Sequence, residues 1–124
     1  MFGNAVAYDR FMGRWSRRVA PLLVDFTGIP DEGRVLDVGS GIGTLTVETA
    51  KQNTALQVTG IDSSQEFIAY ATSRNPFPDR VSFCIGDAQN LQFADDTFVA
   101  ALSLLVFNFI PDPEKALREA RRVT

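Results

Sequence analysis

An acidic residue followed by a glycine-rich loop is the sharpest chemical signal in the sequence. Asp37 ends an apolar segment, and Gly39, Gly41 and Gly43 follow at alternate positions, with Ser40 between the first two. Glycines permit positive φ and close backbone approach, and free N–H groups at a helix start favour a negative ligand group. The pattern predicts a ligand-binding turn from strand to helix, although a tight turn without a ligand has the same signature.

Two further acids follow the next two predicted strands. Asp62 precedes Ser63, and Asp87 precedes Ala88. A carboxylate has two oxygens with several acceptor sites, so Asp62 could accept both hydroxyls of a ribose. Asp87 could accept from an exocyclic amine, and the Ala88 N–H could donate to a ring nitrogen. The alternative for each acid is a helix cap or a turn.

The elements that must position these residues alternate between strand and helix. Apolar runs predict strands at 34–38, 57–62, 81–86 and 98–104, and helical spacing predicts helices at 6–26, 44–52, 64–74 and from 114 onward. Pro21 is expected to kink or divide the first helix. This alternation predicts an α/β fold, a Rossmann-like doubly wound parallel sheet. Ligands then sit beyond the carboxyl ends of the strands, where the three acids meet.

The first helix combines apolar and basic positions. Its apolar residues recur at steps of three and four: Phe11, Trp15, Val19, Leu22, Leu23 and Phe26. Trp15 and the phenylalanines are expected to lie mostly in the core. Four arginines share neighbouring helical positions: Arg10, Arg14, Arg17 and Arg18. They form either a solvated face or a contact with an anionic ligand group.

Composition excludes several classes of function. The 124 residues suit one domain, a net charge of −3 argues against nucleic acid as a partner, and no apolar run is long enough to span a membrane. The start of the chain lacks a secretory signal pattern, so the cytoplasm is expected. The single cysteine, Cys84, is read as a small buried hydrophobe. The sequence contains no histidine, which excludes a histidine base within these residues.

The motifs, in their order, resemble the class I S-adenosylmethionine-dependent methyltransferases, particularly the small-molecule branch that includes the ubiquinone and menaquinone C-methyltransferases. Residues 35–44 resemble the first motif, 58–63 the second, 86–88 the third and 96–112 the fourth with its following loop. Residues 8–15 resemble the leading helix of this group, which often lies over the cofactor. The resemblance implies methyl transfer from S-adenosyl-L-methionine to a small-molecule acceptor, without a metal.

The resemblance also implies roles for individual residues. Asp37 and the glycines would surround the methionine end of the cofactor, Asp62 the ribose, and Asp87 with Ala88 the adenine. Ser103 and Leu104 would flank the methionine moiety and the reacting methyl group. The full set of candidates is Asp37, Gly39, Ser40, Gly41, Gly43, Asp62, Ser63, Asp87, Ala88, Ser103 and Leu104, with Tyr8 and Arg14 as weaker members. No catalytic residue is assigned.

Two features depart from the family pattern. Val99 stands where many relatives carry an aspartate. The family fold usually continues with three more strands, so residues 1–124 would form the N-terminal half, a cofactor-binding domain incomplete at its C-terminus. The fourth strand would then be a hydrophobic edge of the sheet, and four apolar residues after it would be poorly covered: Val106, Phe107, Phe109 and Ile110. Such an exposed edge favours self-association.

Two other functions stay open at this stage. A nicotinamide-dependent oxidoreductase is one, because Gly39, Gly41 and Asp62 also imitate the dinucleotide fingerprint. Against it, Thr44 occupies the third glycine position and Asp37 would repel a pyrophosphate. A non-catalytic cofactor-binding remnant or interaction module is the other. The motifs do not specify the acceptor or the methylated atom.

Overall fold

A four-stranded sheet with helices packed on it forms the body of the molecule. The computed structural model describes residues 3–104, 106 and 109–124. Its elements are α1 (Gly3–Tyr8), a π-helical turn (Asp9–Gly13), α2 (Arg14–Thr27), β1 (Glu32–Val38), α3 (Thr44–Gln52), β2 (Ala55–Asp62), α4 (Gln65–Ser73), β3 (Val81–Ile85), β4 (Ala100–Leu102) and α5 (Pro113–Val123). The predicted alternation of strands and helices is confirmed.

The strands are parallel and lie in the order β3-β2-β1-β4. The chain adds β2 and β3 on one side of β1 and then crosses to the other side for β4. In parallel sheets such a reversal opens a crevice beyond the carboxyl ends of the strands. Asp37 lies at this point, level with Gly60 of β2 and Leu102 of β4.

Hydrophobic cores lie on both faces of the sheet because successive side chains of a strand point to opposite faces. Val35 packs on one face with residues of α2 and α3, among them Ala20 and Leu45. Leu36 packs on the other face with Val123 of α5. This division confirms the doubly wound α/β class and directs Asp37, two positions after Val35, towards α3.

Pro21 does not divide the helix, because α2 runs through this residue without a break. The irregularity lies earlier, in the π-helical turn. Pro21 lacks only the N–H that would have bonded to the carbonyl of Arg17. Its own carbonyl accepts from the Gln52 side chain of α3 at 3.5 Å.

The predicted core position was also wrong for Trp15 and for the two phenylalanines of this helical segment, Phe11 and Phe26. Phe11, Trp15, Leu22 and Phe26 are exposed. The face that packs inward instead carries small residues, namely Gly13, Ser16, Ala20 and Val24. Small residues let α2 approach α3 closely, and periodicity alone did not distinguish this inner face from the larger apolar face outside.

Strand β4 is shorter than predicted, three residues rather than seven. Phe98 stays buried, but its N–H donates to the carbonyl of Val123 at 2.9 Å instead of joining a strand ladder. Among the described residues no strand pairs with the outer edge of β4. Phe109 beyond it is exposed, as expected, while Phe107 lies outside the described residues. Self-association through this edge stays a prediction.

Within the described part of the chain, no helix has the length and apolar content needed to cross a bilayer. The same residues contain no group of three or more acidic or cysteine side chains suited to a metal ion.

Candidate functional site

A pocket of about 460 Å³ opens at the carboxyl edge of the sheet. We call it the main pocket. Its lining comes from the ends of β2 and β3, the glycine loop, the leading helix and the segment before α5: Tyr8, Gly39, Gly41, Ile61, Asp62, Ser63, Phe67, Gly86, Asp87, Ala88, Gln89, Val106, Phe109, Ile110 and Pro111. A much smaller cavity, the side pocket, shares Tyr8, Gly39 and Gly41 with it and reaches Asp37, Ser40 and Leu104.

The glycine loop presents its backbone to both pockets. Gly39 and Gly41 have φ of 72° and 55°, values that L side chains rarely adopt. The N–H groups of Gly39 and Ser40 both donate to the carbonyl of Ile61, at 2.8 and 2.9 Å, which ties the loop to β2. No atom lies within 4 Å of the place where a Cβ on Gly41 would sit, so the loop is open to a ligand there.

Asp62 joins the glycine loop to the start of α4. Its Oδ2 accepts from the Gly41 N–H at 2.9 Å, and its Oδ1 accepts from the Ser64 N–H at 2.9 Å. Ser64 itself caps α4 by accepting from the Phe67 N–H. Asp62 thus stabilises the turn between β2 and α4, and it also lines the main pocket. Each carboxylate oxygen can accept a further hydrogen bond, so a ligand diol can still be bound.

Asp87 faces the main pocket from the loop after β3. Its Oδ1 accepts from the backbone N–H of Gln89 at 2.8 Å, which holds the loop in a turn. The Gln89 Oε1 accepts from the Asp112 N–H at 3.0 Å and links this loop to the start of α5. Ala88 lies between Asp87 and Gln89 on the wall of the main pocket. The carboxylate and the neighbouring backbone are thereby fixed side by side, as recognition of an amine and a ring nitrogen requires.

Asp37 is the buried acid of the site. Its side chain is 1% exposed, and its Oδ2 accepts from the Thr46 hydroxyl at 2.6 Å. The pKa of Asp37 is raised to about 7, chiefly by burial and to a smaller extent by the charge of Asp62, while the hydrogen bonds with Thr46 oppose the rise. Asp37 can therefore change protonation near neutral pH, next to the side pocket.

Replacing Thr46 with valine removes the side-chain hydrogen bond that favours the charged form of Asp37. We expect the free energy of unfolding to fall by about 1–3 kcal/mol at about pH 8, where Asp37 is a carboxylate, and by less at about pH 5, where it is protonated. Thr49→Val is the matched control on the same helix, since the Thr49 hydroxyl donates only to the Leu45 carbonyl. Urea unfolding at both pH values measures the difference, and equal losses in the two variants at both pH values would contradict this role of Thr46.

The leading helix closes one side of the site. Tyr8 lines both pockets, and its ring lies 5.3 Å from that of Phe67 on α4. Burial and then the charge of Asp62 raise the pKa of the Tyr8 phenol, so it stays protonated and can donate. The next residue, Asp9, pairs with Arg17 and accepts from the Tyr70 hydroxyl at 3.3 Å. These contacts hold Tyr8 over the pocket.

Most of the predicted site residues meet at these two pockets, with three exceptions. Arg14 is exposed, with its guanidinium 5.3 Å from the Trp15 ring centre, and it lines neither pocket. Gly43 lines a separate groove towards α2 and α4. Ser103 follows β4 instead of ending it, and its hydroxyl donates to the Val38 carbonyl at 2.9 Å. None of these three residues lines the main pocket or the side pocket.

Several functional positions escaped sequence reasoning. Thr46 has no local signal, since its role depends on α3 packing over β1. Gly60 is hidden in a strand, where a Cβ would lie 2.8 Å from the Cβ of Ser40 and so displace the glycine loop. Phe67 and Ile110 add apolar walls whose place depends on the tertiary fold.

The donor and acceptor groups of the site indicate the chemistry of its ligand. Among the described lining residues of the two pockets there is no lysine or arginine, while Asp37, Asp62 and Asp87 supply carboxylates. The Ser40 hydroxyl is the one buried side-chain polar atom in the described part of the chain with no hydrogen-bond partner. Such a site suits a ligand with hydroxyl, amine and cationic groups better than a pyrophosphate. Fold and site together define a Rossmann-like α/β protein with carboxylate-bearing pockets at the carboxyl edge of its sheet.

Comparisons with known proteins identify the family. A family model described as a methyltransferase domain matches residues 36–124. The demethylmenaquinone methyltransferase of Thermotoga maritima is 33% identical over 110 residues, 89% of this chain and 45% of that protein. The chloroplastic 2-methyl-6-phytyl-1,4-hydroquinone methyltransferase of Arabidopsis thaliana is 36% identical over 123 residues, 96% of this chain and 36% of that protein. This chain spans less than half the length of either relative.

A solved structure supports the fold independently. A Methanococcus maripaludis protein assigned to the S-adenosyl-L-methionine-dependent methyltransferases superposes with a TM-score of 0.87, over 98% of this chain and 58% of that one, at 24% sequence identity. The chain belongs to the methyltransferase domain family, because the family model matches well over half of its residues. The resemblance to class I methyltransferases is confirmed, and the family match favours it over the nicotinamide alternative.

Proposed function

We propose that this chain binds S-adenosyl-L-methionine at the main and side pockets and transfers its methyl group to a small-molecule acceptor. The observation that carries the proposal is the convergence of a glycine loop and three strand-end carboxylates on pockets lined, among the described residues, by no basic side chain. Residues 1–124 act in this proposal as the cofactor-binding domain, and the cytoplasm is the proposed compartment.

The residues present fit the proposed cofactor group by group. Asp62 would accept from the ribose hydroxyls, and Asp87 with the Ala88 N–H would bind the adenine. The open backbone at Gly41 and the unpartnered hydroxyl of Ser40 would meet the methionine end. Asp37, as a carboxylate, would stabilise the positive charge nearby. Leu104, which lines the side pocket, and the adjacent Ser103 would flank the methionine moiety of the cofactor.

When bound, the cofactor supplies an electrophilic methyl group on a sulfonium centre. The protein's part is to hold the reactants together, exclude water and leave no competing nucleophile, and alignment alone contributes many orders of magnitude to such a rate. The sequence has no histidine to take a proton. No residue is assigned as a base, and the acceptor proposed here brings its own nucleophilic atom or an easily lost proton.

The walls of the main pocket favour an apolar, ring-shaped acceptor. Phe67, Val106, Phe109 and Ile110 line the pocket beside the polar ends of β2 and β3. Flat rings pack well against such side chains. The two relatives named for demethylmenaquinone and for a phytyl hydroquinone act on rings of this kind. A hydroquinone meets the chemical requirement as well, because its ionised hydroxyl activates the ring carbon beside it.

A transfer assay with methyl-labelled cofactor tests the proposal. The chain is incubated with labelled S-adenosyl-L-methionine and either a reduced naphthoquinone lacking its ring methyl, a benzoquinol, or a secondary amine. We expect label in the extracted quinol product, lost in Asp62→Ala and kept in Asp79→Ala, an exposed acid at the opposite edge of the sheet. Cofactor binding without labelled product from any acceptor would favour a non-catalytic binding module over the enzyme.

A further inference from the structure

The exposed face of the leading helix carries a continuous aromatic and aliphatic stripe. We define the α2 stripe as Phe11, Trp15, Val19, Leu22 and Phe26, whose exposed fractions are 73%, 49%, 38%, 68% and 88%. Phe11 lies in the π-helical turn just before α2, and steps of four, three and four residues place the other four on one side of α2. The opposite side is buried against α3. Five large apolar residues in one exposed row exceed what a surface helix normally presents.

Basic side chains flank this stripe. Between residues 9 and 26 the sequence has four arginines and two acids, a net charge of +2 in a chain whose total is −3, and one of the four, Arg17, pairs with Asp9. The guanidinium groups of Arg14 and Arg18 lie 5.3 and 5.7 Å from the ring centre of Trp15. Arginine stems can lie along the apolar face while their heads reach outward. The positive charge is thus concentrated where the apolar residues are exposed.

A second copy of the chain is a poor occupant for the α2 stripe. Two-fold antiparallel pairing of the stripe with itself would set Trp15 against Leu22, and its centre would fall beside Arg18. The two Arg18 guanidinium groups would then meet with no acid between them, since Asp25 lies near the far end of the helix. Like charges at the centre of an interface oppose association.

We propose that the α2 stripe docks on the surface of a membrane containing anionic lipid. An aromatic and leucine face bordered by arginines on one helix is the pattern of helices that lie in the lipid interface plane. The sequence predicted no membrane partner because it lacks a spanning segment, and interfacial docking requires none. Tyr8, three residues before Phe11 on the same leading helix, lines the main pocket, so docking would bring the pocket close to the lipid.

Trp15 makes this proposal directly measurable because it is the only tryptophan in the sequence. The chain is mixed, without cofactor, with vesicles of phosphatidylcholine containing about one third phosphatidylglycerol, and with vesicles of phosphatidylcholine alone. We expect a blue shift of Trp15 emission, quenching by brominated acyl chains and sedimentation with the anionic vesicles, all weakened by salt.

Two variant pairs separate the apolar and electrostatic contributions. Leu22→Ser with Phe26→Ser, and Arg10→Glu with Arg18→Glu, should each lower the partition coefficient on anionic vesicles by at least about tenfold. Leu117→Ser with Arg118→Glu on α5 is the matched control, since both of its residues are also exposed, and it should bind like the unaltered chain. Circular dichroism checks that each variant is folded.

These experiments test membrane docking of the α2 stripe independently of methyl transfer. An unshifted Trp15 with all of the chain left in solution would overturn the proposal, as would vesicle binding that the stripe variants leave unchanged. A native mass showing a dimer that only the Leu22 and Phe26 changes dissociate would assign the α2 stripe to a second copy instead. Cofactor affinity, titrated separately, should be the same in every variant.

Discussion

Asp62→Ala is expected to weaken the binding of S-adenosylhomocysteine by at least about 100-fold. Two hydrogen bonds from ligand hydroxyls to a charged acceptor account for most of that loss. The substitution also releases the N–H groups of Gly41 and Ser64, which the carboxylate holds at 2.9 Å each. The glycine loop then loses its attachment to the start of α4, so both the ligand contact and the shape of the pocket are affected. Calorimetric titration measures the change.

Two control variants make this result specific to Asp62. Asp79→Ala removes the same charge from an exposed position at the amino edge of β3 and should leave the affinity unchanged. Asp62→Asn keeps the size of the side chain but loses one acceptor, and an intermediate loss is expected. If Asp62→Ala bound S-adenosylhomocysteine as tightly as the unaltered chain, the ligand would lie elsewhere.

The second large effect is a dependence of cofactor affinity on pH. With the pKa of Asp37 at about 7, the carboxylate form predominates at about pH 8 and the neutral form at about pH 6. A cationic ligand favours the carboxylate, so S-adenosyl-L-methionine should bind about tenfold more tightly at the higher pH. Asp37→Asn should flatten this dependence. Since the ligand's own titration is common to both proteins, the ratio of their affinities isolates Asp37.

The free energy of unfolding of the unligated chain should fall as pH rises, whereas its affinity for the cofactor should increase. Burial raises the pKa of Asp37 from its ordinary 3.8 to about 7, so between these values the folded chain binds more protons than the unfolded chain. The stabilising contribution is complete below about pH 4 and is lost as pH rises through about 7, at most roughly 4 kcal/mol in total. Denaturant unfolding of Asp37→Asn should lack this loss. A stability difference between the two proteins that does not vary with pH would contradict the assignment.

The elements nearest the glycine loop were the most predictable part of the fold. Helix α3 was predicted with its observed bounds, and strands β1 and β2 begin only two residues earlier than expected. These segments carry clear local signals, apolar runs bounded by glycines. Strand β4 was overestimated because an apolar run does not reveal where ladder pairing ends, and the hydrogen bond of Phe98 to Val123 depends on a distant helix.

The composition of the pocket was predicted from strand ends, and its packing was not. Asp62 and Asp87 reach one pocket because parallel strands finish at one edge, a rule that sequence order can supply. The hydrogen bond from Thr46 to Asp37 and the close packing of Ser40 on Gly60 could not be predicted from the sequence. Both depend on how α3 and β2 pack against the glycine loop in three dimensions. The exposed α2 stripe has the same cause, since periodicity defines the faces of a helix without saying which one is buried.

The most direct test of the central claim is a titration of the isotopically labelled chain with S-adenosylhomocysteine, followed by the shifts of its backbone amides. We predict saturable shifts with one common affinity at Gly39, Gly41 and Ala88, little change at Lys51 in the separate groove, and no response to NAD. Shifts confined to the groove, or a response to NAD at the glycine loop in place of S-adenosylhomocysteine, would contradict the account.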